Sequence, residues 1–480
     1  MARVQWIGQS ATARSSSVGN LRLLNGYAEV VESQQGKAVV ALYGAPGLTV
    51  FTTLPGSGGV RAVYTSSDSR LFAVRGAGCY EVYTDGTTAL LGTLSSSSGP
   101  VSMADNGVDI LVVDGPSGYA LSLAGLTWTP IVSAGWRGSA RVDFLDGYFL
   151  LHEPGTGRWY VSDLYSTTFD PLDFATEEAR PDPVVSLLRV QRDVWLFGSL
   201  STGIWGNVGG EGFPFTRNES VFLEHGCLAA HSPALSGQQL FWLSQNASGQ
   251  GLVLTSQGYL PQRISTHPVE LALQGYSTVT DAIGFCQQDE GHVFYWLTFP
   301  TANATWVYDA TTGLWAERAY RDPTTGAMGR HRASCYTVAF GRQLVGDYAT
   351  GAVYQLGLDT YTDNGAPLVF EAILPPVFDG TDLNNVQHRT FKLDCETGVG
   401  LVTGSDPALN PQVVLDWSND GGQTWGTPRP KPLGALGQYG RELEWRQLGM
   451  ARDRRYRVRI TAPVKRAILG AYVTTEGLLA

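Results

Sequence analysis

The stretch DILVVDGPSGYALSL, residues Asp109–Leu123, decides how the rest of the chain is interpreted. An apolar run rich in β-branched residues ends at Gly115 and Pro116, which favour a tight turn. A second run, Tyr119–Leu123, follows at once. Two short apolar runs joined by such a turn predict a β-hairpin.

The same plan of strand, turn and second strand recurs along the chain. The second strands can be followed through one marker residue in each copy: Tyr80, Tyr119, Tyr160, Trp205, Val253, Trp306 and Val353. These markers are 39 to 53 residues apart, a spacing typical of propeller blades. An isolated four-stranded blade exposes two edges and an apolar face, and stacking blades around a ring covers them. We therefore predict a β-propeller of six or seven blades.

The pattern changes on both sides of the repeats. Residues 56–365 are predicted to form the propeller, and residues 366–480, with longer loops between strands, a C-terminal β-sandwich. Residues 1–55 are predicted to be an N-terminal arm or a partner strand for the ring. One helix is predicted at Ile264–Gly275, with Pro268 in its first turn and Gly275 at its end.

Composition supports an all-β fold. Only 16% of the 480 residues are charged, 58 are glycine and 11% are aromatic. Helical proteins need Glu, Lys and Ala in quantity, whereas this balance favours short strands and tight turns.

Charge is unevenly distributed. Residues 441–480 carry eight Arg and one Lys against four acidic residues, a net of +5, so residues 1–440 carry −15 of the total of −10. The acidic body is unsuited to holding nucleic acid, and the basic end is suited to docking an acidic neighbour or another copy of the chain.

Nothing near the N-terminus has the apolar core of a signal peptide, and the five cysteines are scattered. We therefore expect reduced thiols in a protein made in the cytosol.

A single Asp-box occurs outside the predicted ring. Its residues are Ser418, Asp420, Gly422, Thr424 and Trp425. The Asp can accept backbone N–H bonds and the glycines tolerate a positive φ, so the motif is interpreted as a structural hairpin turn. Because such boxes recur in sialidases, a glycan-active or glycan-binding propeller is kept as an alternative.

No catalytic or metal site is predicted. Glycoside hydrolysis needs two carboxylates flanking one bond, and nothing pairs the acidic candidates, which fall in or beside turns. They are Asp143, Asp146, Asp163, Asp281 and Glu290. His225, Cys227 and His231 lack a fourth ligand and the spacing of a zinc site.

Strand alternation near the C-terminus aligns three arginines. In Asp453–Ile460, the side chains of Arg455, Arg457 and Arg459 share one face, while Tyr456, Val458 and Ile460 share the other. The apolar face is predicted to enter the sandwich core. The arginine face is either solvated or paired with carboxylates of a neighbouring subunit. Nucleic-acid contact is a weaker third option, since no stacking aromatics share that face.

Three stretches resemble the tail nozzle, or tail hub, proteins of short-tailed bacteriophages, also called packaged-DNA stabilisation proteins. They are Arg263–Glu270, Gly291–Trp315 and Trp445–Tyr472. These are fold-level similarities and carry no catalytic residues. Together with the order of elements, the resemblance covers most of the chain, with a loose match over the N-terminal fifty residues.

The resemblance implies a structural protein of the virion tail, made in the host cytoplasm, that closes into a six-fold ring. It implies docking to a portal adaptor, to a fibre or spike and to a needle or plug. Double-stranded DNA would pass through the ring without specific binding, and no cofactor or small-molecule substrate is expected. The other alternative is a trimeric receptor-binding tail fibre.

Overall fold

The computed structural model describes residues 2–4, 9–30, 39–177, 180–209, 212–379 and 383–477. Met1 and residues 5–8, part of the segment in which a targeting signal was considered, lie outside the described residues. The N-terminal strands are β1 (Ala2–Val4), β2 (Ala11–Thr12), β3 (Asn20–Leu24), β4 (Gly26–Val30), β5 (Val40–Gly44) and β6 (Gly47–Thr53).

Blades 1 to 4 are contiguous in sequence, and each consists of four antiparallel strands paired in chain order. Their strands are β7 (Val60–Thr65), β8 (Leu71–Arg75), β9 (Gly78–Val82), β10 (Thr88–Thr93), β11 (Ser102–Asp105), β12 (Asp109–Asp114), β13 (Ser117–Ser122), β14 (Trp128–Pro130), β15 (Val142–Leu145), β16 (Tyr148–His152), β17 (Arg158–Val161), β18 (Phe174–Thr176), β19 (Val184–Val190), β20 (Asp193–Gly198), β21 (Thr202–Asn207) and β22 (Phe215–Leu223).

Blades 5 to 7 follow, with helix α1 (His267–Gln274) between blades 5 and 6. Their strands are β23 (Ala234–Ser236), β24 (Gln239–Gln245), β25 (Gly251–Gln257), β26 (Leu260–Arg263), β27 (Ile283–Asp289), β28 (His292–Phe299), β29 (Ala304–Asp309), β30 (Leu314–Arg321), β31 (Met328–Arg330), β32 (Ala333–Ala339), β33 (Arg342–Asp347) and β34 (Ala352–Gly357). The propeller prediction is confirmed, with seven blades in the described residues.

The ring closes through the N-terminal region. Strand β6 completes blade 7 by pairing antiparallel with β34, so that Leu48 lies opposite Leu356. Blade 7 therefore combines strands from both ends of the propeller, which leaves no open edge between the first and last blades. Beside this closure, Thr65 of blade 1 and Thr337 of blade 7 lie within hydrogen-bond distance, at 2.8 Å between their hydroxyl oxygens.

Apolar faces hold neighbouring blades together. Between blades 1 and 2, the side chains of Phe72 and Val74 pack with those of Ile110 and Val112. All four are fully buried. Removing each such side chain from water stabilises the fold by roughly 1.5–3 kcal/mol.

The C-terminal region adds the remaining strands. They are β35 (Thr362–Asp363), β36 (Ala366–Pro367), β37 (Phe370–Ile373), β38 (Val377–Phe378), β39 (Val386–Cys395), β40 (Gln412–Ser418), β41 (Arg429–Pro432), β42 (Leu443–Arg446), β43 (Met450–Ala451), β44 (Asp453–Ile460) and β45 (Ala467–Gly477). One layer of the sandwich has the order β4-β5-β45-β39-β42, and the other contains β37-β44-β40-β41. Phe370, Phe391 and Tyr456 lie in the shared core.

Strand β3 joins the two domains into one sheet. It pairs parallel with β30 of blade 6 through Leu24 and Glu317, and antiparallel with β37 of the sandwich through Arg22 and Ile373. Because β3 to β6 are divided between the propeller and the sandwich, the domain limits 1–55, 56–365 and 366–480 stay predictions.

Helix α1 begins after Thr266, with Pro268 in its first turn, and ends before Gly275. In the described residues, no helix is long and apolar enough to span a bilayer.

Candidate interaction site at the domain junction

The arginine strand alternates as the sequence predicts. Tyr456, Val458 and Ile460 of β44 are buried in the sandwich core. The side chains of Arg457 and Arg459 emerge on the opposite face, where they remain 16% and 30% exposed.

One carboxylate binds both of these arginines. Asp416, on the neighbouring strand β40, is only 1% exposed. Arg457 donates from Nε to Oδ1 at 2.8 Å and from Nη2 to Oδ2 at 2.7 Å, which is bidentate pairing. Arg459 donates from Nη2 to the same Oδ2 at 2.7 Å. These arginine–carboxylate pairs lie within the chain, whereas the sequence predicted pairing with a neighbouring subunit.

The charges continue across the sheet toward blade 6. Arg457 Nη1 lies 3.8 Å from Glu371 Oε2, and Arg22 Nη1 donates to Glu371 Oε1 at 3.1 Å. Arg22 also donates from Nε and Nη2 to Glu317 Oε2, at 3.0 and 2.8 Å. Burial alone would lower the pKa of Arg22, but the carboxylates of Glu317 and Glu371 outweigh burial and raise it.

We call this set of three arginines and three carboxylates the charge ladder. Its members are Glu317, Arg22, Glu371, Arg457, Asp416 and Arg459. They lie on β30, β3, β37, β44 and β40, so the ladder follows the shared sheet from blade 6 into the sandwich.

Arg455 differs from the exposed position that alternation alone predicts. It is 1% exposed, and its Nη2 donates to the backbone oxygen of Ser17 at 3.0 Å. Its Nε and Nη1 have no hydrogen-bond partner in the described parts of the chain, and burial lowers the pKa of its guanidinium. The N-terminal arm covers Arg455, so this side chain is not on the surface of the single chain. A role of Arg455, Arg457 and Arg459 in subunit contacts stays a prediction.

The Asp-box forms the turn between β40 and β41. Ser418 Oγ donates to Asp420 Oδ1 at 2.6 Å, and the backbone N–H of Thr424 donates to both carboxylate oxygens at 2.9 and 3.0 Å. The hydrogen bonds from Ser418 and Thr424 hold the pKa of Asp420 well below its usual range. Gly422 has φ +94°, and a Cβ there would lie 2.5 Å from Asn20 Nδ2.

The turn also touches the charge ladder. The guanidinium carbon of Arg457 lies 4.0 Å from the centroid of the Trp425 ring, which is a cation–π contact. Arg457 is thus held between the Asp416 carboxylate and the Trp425 ring. Trp425, the last residue of the motif, therefore links the Asp-box turn to strand β44.

Four of the five acidic candidates bond groups near them, and the fifth, Glu290, has no hydrogen-bond or ion-pair partner among the described residues. Asp143 accepts the backbone N–H of Arg189 at 2.7 Å, and Asp281 accepts that of Thr301 at 2.7 Å. Asp146 accepts Asn207 Nδ2 at 3.2 Å. Asp163 accepts the hydroxyl of Thr168. The structure does not bring these carboxylates together as a flanking pair.

Burial raises the pKa of Cys227 to about 11 and lowers that of His231 to about 3. A search of the described residues finds no group of three or more His, Cys, Asp or Glu placed to hold a metal ion.

Two family models match the chain. The model described as bacteriophage P22 Gp10, β-propeller, matches residues 23–361, and the model described as bacteriophage P22 Gp10, β-sandwich, matches residues 378–476. The chain belongs to the bacteriophage P22 Gp10 family. This confirms the resemblance drawn from the sequence and the order of propeller and sandwich. As a member of the P22 Gp10 family, the chain is a structural protein of the virion tail.

Arg22 and Glu371 of the charge ladder lie just outside the two segments matched to the P22 Gp10 family. No curated protein sequence matches the chain.

Several solved structures are similar to the chain at low identity. The Neurospora crassa Pan2 WD40 domain is 10% identical, with 65% of this chain and 95% of that chain covered and a TM-score of 0.43. The WD40 propeller domain of Doa1 is 12% identical, with 65% and 96% covered and a TM-score of 0.39. A B. thetaiotaomicron two-component-system extracellular domain is 10% identical, with 76% and 46% covered and a TM-score of 0.44. Nothing about function follows from likenesses this weak.

Proposed function

We propose that the protein is one subunit of a ring-shaped tail nozzle, which retains packaged DNA and conducts it at ejection. The main support is that one chain contains both segments of the P22 Gp10 family. The family model of the first segment is named Phage_stabilise. The chain therefore has the propeller and the sandwich of a family whose name refers to stabilisation.

The structure of the domain junction supports a role in withstanding mechanical force. A ring that holds DNA inside a filled head carries mechanical load between its domains. Here the hydrogen-bonded sheet runs from blade 6 through β3 into the sandwich, and the charge ladder follows the same strands. Separating the domains would break backbone hydrogen bonds and the partly buried ion pairs of Arg22 together, which favours motion as one body.

Charge supports a passive conduit. The chain carries −10 overall, so it repels phosphates at long range. The basic C-terminal end does not offset this at the surface, because five of its nine cations are used internally. Arg454, Arg455 and Arg466 are buried, and Arg457 and Arg459 bind Asp416.

The proposed partners are other copies of the chain in a six-fold ring, a portal adaptor, a fibre or spike, and a needle or plug. Contacts of the exposed side of Arg459 with a neighbouring copy are part of the proposal. We also propose that the protein has no catalytic activity, since four of its five candidate carboxylates, Asp143, Asp146, Asp163 and Asp281, are bonded to nearby backbone or side-chain groups.

Particles assembled with and without the protein test the proposal. We expect particles that lack it to lose packaged DNA, measured as DNA accessible to nuclease, and purified protein to restore retention. Electron microscopy of the protein added to the portal and adaptor complex is expected to show six-fold rings. Equal retention without the protein would contradict the nozzle role. Trimers would favour a receptor-binding fibre, and turnover of sialosides or host polysaccharide would favour the glycan-active alternative.

A further inference from the structure

A cavity of about 290 Å³ lies where the propeller meets the sandwich. The β4–β5 hairpin forms one wall, the turn at Glu290 in blade 6 a second, and the segment after blade 7 a third. Three tyrosines and three carboxylates line it: Tyr27, Tyr43, Tyr361, Glu29, Glu290 and Asp359. None of these six residues belongs to the charge ladder or to the Asp-box turn.

Tyr27 is the most buried of the three tyrosines. The residue is 6% exposed, and its ring packs edge-on against His292 and Phe294, with centroids 5.2 and 5.6 Å apart. The Tyr27 and Tyr43 centroids are 5.8 Å apart. Neither hydroxyl donates or accepts a hydrogen bond within the described ranges. A phenol that is nine-tenths buried, lines a cavity and has no partner is ready to bond a ligand there.

The carboxylates of Glu29 and Glu290 also have no hydrogen-bond partner among the residues that the structure describes. Within the described chain neither forms an ion pair. Both nonetheless act on the tyrosines: burial is the largest cause that raises the pKa of Tyr27 and of Tyr43, and the charges of Glu29 and Glu290 raise both further. The charge of Lys465 acts against the glutamates at Tyr43, where it lowers the pKa of the phenol, whereas the largest charge effects on Tyr27 are those of Glu290 and Glu29.

The lining also contains two cations, Lys465 and Arg466, and the Nε and Nη1 of Arg466 are buried without a hydrogen-bond partner in the described residues. Lys465 Nζ lies 3.0 Å from Glu396 Oε2. Arg466 is 2% exposed, and its Nη2 donates to the backbone oxygens of Tyr361, Leu368 and Ala462. Neither cation lies within 4.0 Å of a carboxylate of the lining.

We propose that this cavity binds a basic side chain, arginine or lysine, presented by a partner protein. Aromatic rings attract a cation through their faces, and nearby carboxylates give charge-assisted hydrogen bonds. Glu29 and Glu290 supply two unneutralised acceptors, while Tyr27 and Tyr43 supply hydroxyl and ring. The site extends beyond the nozzle proposal, because it specifies the chemistry that a partner must present at the domain junction.

Calorimetric titration of the full-length protein with Nα-acetyl-arginine amide tests the proposal. The matched probe is Nα-acetyl-citrulline amide, which has the same shape without the charge. We expect saturable binding of the arginine probe, weakened by salt, and none of the citrulline probe. Glu29→Gln and Glu290→Gln are each expected to weaken binding about fivefold. Tyr27→Phe is expected to weaken it through the lost hydroxyl.

Glu219→Gln, at an exposed glutamate of blade 4, is the control and is expected to leave binding unchanged. Thermal unfolding of each variant shows whether it folds. Equal binding of the citrulline probe, no saturable binding of the arginine probe, or unchanged binding in both glutamate variants would each overturn the proposal.

Discussion

Arg22, on the N-terminal strand β3, donates two hydrogen bonds to Glu317 of blade 6, a residue 295 positions further along the chain. The same guanidinium donates to Glu371 of the sandwich strand β37. One side chain thus joins the N-terminal arm, the propeller and the sandwich.

Replacing Arg22 with methionine should weaken the coupling between the domains. The variant keeps most of the side-chain length but leaves Glu317 and Glu371 without this cation, and we expect a loss of about 1–2 kcal/mol of unfolding free energy. Thermal unfolding and protease sensitivity of β3 provide the measurements. Arg192→Met, at a side chain that is 84% exposed, is the matched control. Equal stability of the two variants would show that the ladder does not couple the domains.

Asp416→Asn should be the most damaging single change in the charge ladder. The neutral amide cannot balance Arg457 and Arg459, which lie partly buried beside it, and a broken buried ion pair typically costs about 3 kcal/mol. Denaturant unfolding followed by tryptophan fluorescence measures the change. Glu219→Gln, at an exposed carboxylate, controls for the loss of charge alone. A shift no larger than that of the control would contradict the role assigned to Asp416.

Because Asp416 binds Arg457 and Arg459, replacing the arginines of β44 is expected to affect the single chain as well as assembly. Replacing Arg455, Arg457 and Arg459 together with serine would be expected to weaken only assembly if their partners were on a neighbouring subunit. With Asp416 buried beneath two of them, we expect the monomer itself to lose stability. Circular dichroism of the triple variant, recorded before any assembly assay, separates the two outcomes.

The propeller was predictable from sequence because strand pairs recur at a blade-sized interval. The alternation of Tyr456 and Arg457 was predictable for a similar reason, since a strand's period of two is local. The partners of Arg457 and Arg459 were not, because Asp416 is 41 and 43 residues away and reaches them only when β40 pairs with β44. The burial of Arg455 depends on an arm more than 400 residues upstream.

The division of the N-terminal strands between the propeller and the sandwich could not be predicted from the sequence either. Nothing local distinguishes β3, which enters the junction, from β6, which completes blade 7. Their partners are set by which edges remain open after the other strands have paired, and that property belongs to the whole fold.

Asp420→Asn should reduce stability in a pH-dependent way. The folded-state pKa of Asp420 is lowered by its hydrogen bonds with Ser418 and Thr424. A carboxylate with a lowered folded pKa contributes stability that is present above its unfolded value of about 3.9 and is lost as the pH falls toward the folded value. We therefore expect the wild type to melt above the variant at pH 7, and the difference to shrink below about pH 4. Melting temperatures measured from pH 2 to pH 8 check this, and a constant difference would contradict it.

Because β6 closes the ring, a change in its buried side chains should destabilise blade 7. Leu48 is 1% exposed and packs with Val345 and Tyr354 in the core of blade 7, so Leu48→Ala removes apolar contacts from the strand that seals the propeller. We expect a loss of about 2–5 kcal/mol, the usual range for a buried leucine. The control is Leu90→Ala on the outer strand of blade 1, at a residue that is 59% exposed.

Hydrogen exchange of the Leu48 variant should show faster opening of strands β34 and β6 than of blades 2 to 4. The reason is that β6 has no other antiparallel partner in the described structure. Uniform opening of all blades would mean that the ring unfolds as one unit and that β6 does not act as its seal.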